Sequence, residues 1–124
     1  MNQYLSDFLA GVQSPAASGF EHLNTLLVRD HLFEARSTLT AEEQAMLLKA
    51  DYLLFKQATA FLAELEMMTS LAYERQAREA PPEQWWWYLD VIEHLPFLEQ
   101  LSTPAAYYGK GGGLSLIRTI LDEP

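Results

Sequence analysis

TAEEQAMLLKADYLLFKQATAFLAELEMMTSLAYERQARE, residues 40–79, is the stretch that decides the fold class. It contains neither proline nor glycine, and its apolar residues recur at helical spacing. Leu47, Leu54, Phe61 and Met68 fall seven residues apart, and Ala58, Leu65 and Ala72 follow the last three by four. Leu48, Phe55 and Leu62 widen this stripe, while Lys49, Lys56, Gln57, Glu64 and Ser70 lie opposite. The stretch begins with a capping box. The Thr40 hydroxyl is placed to accept from a free first-turn amide, and Glu43 to reach back to the cap. The reading is one long central helix over about residues 41–79. At 1.5 Å per residue such a rod is about 58 Å long. A compact domain of this size is only about 35 Å across. The helix must therefore bend, for instance near Thr69-Ser70, or project and pack against a second chain.

Working outward, the flanking punctuation delimits further helices. Residues 2–13 place Leu5, Phe8, Leu9 and Val12 on one face. Residues 18–36 give a broad apolar side through Phe20, Leu23, Leu27 and the pair Leu26 and Phe33, interrupted by Asp30 and His31. After Pro81-Pro82, residues 83–94 read as a helix with proline in its permitted first turn. Residues 97–101 read as a single turn, 109–113 as a loop and 114–121 as a short last helix. The expectation is an all-α, single-domain bundle of four to five helices over residues 1–124.

Composition narrows the function classes. The chain has 124 residues, a formal net charge of −9, 49% hydrophobic content and no cysteine. Disulfides, thiolate nucleophiles and cysteine-based metal sites are excluded. No basic stretch is present to displace the counterions of a nucleic acid, and the negative charge opposes docking on an anionic bilayer. No apolar run nears the roughly 20 residues of a membrane span. The start, Met1-Asn2-Gln3-Tyr4, lacks the pattern of a signal peptide, so a cytoplasmic location is expected. Neither nucleic acid nor membrane is expected as a partner.

Catalytic and metal motifs were tested in turn. No glutamate stands three residues before His22, His31 or His94, as a helical di-iron site requires, and the zinc-protease pattern is missing. Asp30, His31 and Glu34 form a small polar cluster that reads as a solvated helix face. Gly109-Lys110-Gly111 lacks the Ser or Thr of a phosphate-binding loop. Neither a metal nor a cofactor is expected. Met67 and Met68 read as fillers of core volume.

Two features remain as candidate sites. Asp51 lies on the apolar stripe, where a lone carboxylate is costly, so an ion pair with Arg29 or Arg36 is expected. The run Trp85-Trp86-Trp87-Tyr88 would sweep nearly the whole circumference of an α-helix, at 100° per residue. A surface helix has core on one side only, so at least one ring should meet a partner. The function expected is a non-enzymatic protein–protein interaction module with this aromatic surface at Trp85, Trp86, Trp87 and Tyr88. It would self-associate, as a dimer, or serve as a subunit or adaptor of a larger assembly. The alternative is a small-molecule-binding protein or unfamiliar enzyme, with a pocket near Asp51, His31, Arg29 and the tryptophans.

Overall fold

The structure, a computed structural model, describes residues 1–93. The expected turn at 97–101, the loop at 109–113, the last helix at 114–121, the end of the fourth helix at His94 and the reach of one domain to residue 124 lie outside the described residues. Within them the chain is all-α. Its elements are α1 (Gln3–Val12), α2 (Gly19–Glu34), a 3-10 turn (Arg36–Thr38), α3 (Ala41–Lys56), α4 (Ala58–Leu65), α5 (Leu71–Arg78), a second 3-10 turn (Trp85–Tyr88) and α6 (Leu89–Ile92).

Each of the first three helices starts where a side chain accepts from otherwise unbonded first-turn amides. The Asn2 carboxamide oxygen accepts from the Tyr4 and Leu5 amides. Ser18 with Glu21, and Thr40 with Glu43, form reciprocal capping boxes. Glu43 has a further task, because its second carboxylate oxygen accepts from the Asn2 amide at 2.7 Å. It thereby ties the start of α1 to the start of α3. The amides of Thr40 and Asn2 hold the Glu43 carboxyl below its ordinary pKa.

The long central helix does not form. Residues 41–79 are three helices, broken at Gln57 and again between residues 66 and 70. At Gln57 the backbone leaves the helical region (φ −105°, ψ 16°), and its amide is shared among the carbonyls of Leu53, Leu54 and Phe55. At the second break the Ser70 hydroxyl accepts from the Tyr73 amide and starts α5 afresh. The breaks resolve the conflict of lengths: a rod could reach the core over only part of its length. Three short helices fold back, so that α4 packs on α2 and α6, and α5 on the Trp85–Tyr88 turn.

The apolar stripe is obeyed only up to the second break. Leu47, Leu54, Phe55, Ala58, Phe61, Leu62 and Leu65 are buried. Met67, Met68 and Ala72 are exposed, because their register belonged to a helix that has already ended. The expected role of Met67 and Met68 as core fillers is thus corrected. On α2, Leu26 is buried and Leu23, Leu27 and Phe33 pack against the core as expected, but Phe20 is 72% exposed, and the inward face also holds His22, Thr25, Arg29 and Leu32. The polar side chains of that face are met inside, apart from the buried His22 Nδ1, which has no hydrogen-bond partner among the described residues. The His22 ring stacks on Phe61 at 3.9 Å, its Nε2 donates to the Pro15 carbonyl, and Thr25 donates to the Glu21 carbonyl.

Candidate functional site

The Trp85–Tyr88 run lies in the middle of the molecule. All four side chains are buried, with Trp86 and Trp87 at 0% exposure. The aromatic surface expected at Trp85, Trp86, Trp87 and Tyr88 therefore does not form in the folded chain. The physical reason is position. The four residues make one 3-10 turn that passes between elements and has neighbours on several sides, not one side of a surface helix.

Each ring has its own lining. Trp85 meets Phe55 of α3 edge-on, with ring centroids 6.3 Å apart, and meets Trp86 at 5.9 Å. Trp86 lies against Phe33 and under the Arg29 guanidinium, 4.2 Å from the ring centroid. Arg78 covers Trp87 at 4.8 Å, and Arg75 covers Tyr88 at 4.7 Å. Three arginines thus each face one aromatic ring, an attraction that grows as water is excluded. Rings of this size bury roughly 150–250 Å² each, which makes the run a main source of core stability.

Asp30, Arg75 and the Ala80 carbonyl meet polar atoms of Trp86, Trp87 and Tyr88. Asp30 Oδ1 accepts from both indoles, from Trp86 Nε1 at 2.7 Å and Trp87 Nε1 at 2.8 Å. Arg75 donates to the Trp87 carbonyl and pairs with Asp90 at 2.7 Å. The Tyr88 hydroxyl donates to the Ala80 carbonyl. Burial pushes the Tyr88 phenol above its ordinary pKa, and nearby Arg75 partly opposes the rise.

Arg29 and Asp51 are brought together as a two-pronged ion pair, Nε to Oδ1 at 2.9 Å and Nη2 to Oδ2 at 3.0 Å. Asp51 is 1% exposed and Arg29 is 6% exposed. Both forks of the guanidinium match both carboxylate oxygens, the geometry that lets two charges tolerate a dry interior. His31 joins neither. It is exposed on α2 and stacks on Tyr4 with centroids 4.7 Å apart. Arg36 turns instead to the Phe33 carbonyl and ring.

Around the expected pocket, Arg29 and Asp51 pair with each other and the Trp86 and Trp87 indoles with Asp30, while His31 lies apart on the surface. An open groove lies elsewhere, between α1 and the start of α2. It has a volume of about 510 Å³, with Asp7, Gly11, Ala17, Phe20 and Glu21 among its lining. Its floor is drawn tight because a Cβ at Gly11 would run into the Thr25 side chain. Among the described residues no group of three His, Asp or Glu side chains is arranged to hold a metal ion, and no helix is long and apolar enough to cross a membrane.

Among the large apolar side chains that face water, Met1 and Tyr4 lie at the start of α1, Tyr73 lies on α5, and Phe20 borders the groove. Phe20 follows Gly19, where a Cβ would sit 2.5 Å from the Glu64 carbonyl oxygen and 3.2 Å from the Leu65 Cα. That close approach brings the start of α2 to the end of α4, and the chain leaves α4 through Met67, 81% exposed, and Met68, 46% exposed. The periodicity of the sequence assigned all three to the interior, so nothing short of the helix breaks identifies them. Comparison of the chain with protein-family models, with curated proteins and with solved structures finds no match.

Proposed function

We propose that the chain is a non-enzymatic protein–protein interaction module that docks through the Phe20, Met67 and Met68 end. The observation behind this reading is the inversion between two sets of apolar residues. The aromatic run is enclosed, whereas Met67 stands in water and so does Phe20, which lines an open groove. Covering one such side chain is worth roughly 1.5–3 kcal/mol, so covering the set supplies a docking energy that the isolated chain leaves unused. Long unbranched thioethers suit this role because they adapt to the shape set against them.

Site-specific photo-crosslinking in the native cell tests the proposal. A benzoylphenylalanine placed at position 20 or 67 should form an adduct with a protein. One placed at Lys49, exposed on α3, should not. Equal adducts at all three positions, or none at 20 and 67, would remove the docking reading.

A further inference from the structure

The charge around the Phe20, Met67 and Met68 end indicates what covers it. Residues 7–28, which carry the groove and Phe20, and residues 57–74, which carry Met67 and Met68, contain no lysine or arginine, the nearest in sequence being Arg29, Lys56 and Arg75 just outside them. The two segments hold Asp7, Glu21, Glu64, Glu66 and Glu74, while all 8 basic side chains of the chain lie outside them. Glu74 is engaged by Arg78. The remaining four acids form no ion pair among the described residues. The segments that carry Phe20, Met67 and Met68 thus hold carboxylates and no lysine or arginine of their own.

That arrangement discriminates among occupants. A second copy docking face to face would bring the same carboxylates against each other, so like-charge repulsion opposes a symmetric dimer here. An anionic bilayer is repelled for the same reason. A cationic segment gains from both features at once, since its charges face the acids while its apolar side covers Phe20 and the two methionines. The groove beside Phe20 runs between two helices and is floored by small residues, Gly11 and Ala17, a shape that receives a third helix side-on.

We infer that the occupant is a basic amphipathic helix of a partner protein. Its apolar side lies on Phe20, Met67 and Met68, and its lysines and arginines face Asp7, Glu21, Glu64 and Glu66. The inference rests on the docking reading above and adds the chemistry of the partner.

The test uses the full chain and a fluorescent leucine–lysine peptide about 18 residues long, five helical turns, with leucines on one helical face. A peptide of the same composition, reordered so that no helical face is apolar, is the control for bulk charge attraction. In fluorescence anisotropy the patterned peptide should bind at least about tenfold more tightly than the reordered one. The double variant Phe20→Ser/Met67→Ser should lose about tenfold of that affinity, while its melting midpoint stays that of the parent. The double variant Glu64→Gln/Glu66→Gln should bind severalfold more weakly and with a shallower dependence on salt. Glu42→Gln, on α3, should change neither. Equal binding of the two peptides, indifference to Phe20→Ser/Met67→Ser, or capture of phosphatidylserine vesicles in preference to the patterned peptide overturns the inference. Photo-adducts at positions 20 and 67 together with failure of the patterned peptide would reject the basic helix and keep the docking role. Absence of those adducts rejects the docking role itself.

Discussion

The Trp85–Tyr88 turn and the Phe20, Met67 and Met68 end are both dense in large apolar side chains, yet one is wholly enclosed and the other stands in water. Hydrophobicity does not separate them. What separates them is whether the backbone that carries the side chains passes through the molecule or along its rim. The tryptophans follow Pro81-Pro82 into a 3-10 turn with α2, α3 and α5 around it, so every direction the rings face is already occupied. Phe20 sits at the first turn of a helix and Met67 and Met68 just past the end of another, where the neighbouring packing stops. The amphipathic polar groups reinforce the contrast. The inner region recruits Arg29, Asp30, Arg75 and Arg78 to its rings, whereas the groove beside Phe20 is lined by Asp7 and Glu21 and by no described lysine or arginine.

The sharpest way to break this contrast is to remove the charge pair beneath the aromatic run. Asp51→Ala leaves Arg29 buried without its carboxylate and should cost about 3–5 kcal/mol. For a domain of this size that lowers the melting midpoint by roughly 10–20 °C. A midpoint shift of only a few degrees would mean that the pair is solvated and the inner region far wetter than its burial indicates.

A somewhat smaller loss is expected at Asp30. Asp30→Ala strands two indole N–H groups that share one acceptor at a partly exposed place, at about 1–3 kcal/mol for the two together, since water replaces part of what is lost. Asp30→Asn retains an oxygen at that place and should recover much of the loss. Thermal unfolding of the pair of variants, read by tryptophan fluorescence, checks both. Equal losses for Ala and Asn would show that the negative charge, and not the acceptor, is what the indoles require.

Tyr88 sharpens the picture further. Tyr88→Phe removes the hydroxyl that donates to Ala80 and should cost about 1 kcal/mol. Because burial raises the phenol pKa, the folded chain favours the neutral ring. Its stabilising contribution is full below the ordinary tyrosine value of about 10 and is lost as the pH climbs through the higher folded value. Ultraviolet titration of the parent against Tyr88→Phe should therefore show one phenol ionising later than the others. Coincident titration of all the phenols would place Tyr88 in contact with solvent.

The smallest effect belongs to the outer region. Phe20→Ser and Met67→Ser should each change stability by no more than about 0.5 kcal/mol, because neither side chain gains burial on folding. A loss above 2 kcal/mol from either, measured by denaturant unfolding, would show that these residues are covered and would dissolve the comparison.

Much of the architecture was readable before any coordinates. The Thr40–Glu43 capping box, the first two helices to within two residues at each end, and the buried positions Leu47, Leu54, Phe61 and Leu65 follow from spacing and cap chemistry alone. So does the demand that Asp51 find a cation, which Arg29 meets. These are local or periodic facts, and period and local hydrogen bonding are what a sequence expresses directly. The continuity of residues 41–79 was misleading, since the absence of proline and glycine permits a long helix without requiring one. Packing chose the breaks at Gln57 and at residues 66–70.

Residue pattern alone specified the all-α class, the starts of α1, α2 and α3, the −9 charge and the want of a lysine or arginine in residues 7–28 and 57–74. Only the tertiary structure decided which apolar residues are hidden. An indole is enclosed or exposed according to how many elements surround its backbone, and that number is a property of the assembled fold, to which no window of residues has access. Folding turned the tryptophans from an expected surface into the core, and turned Phe20, Met67 and Met68 from expected core into surface.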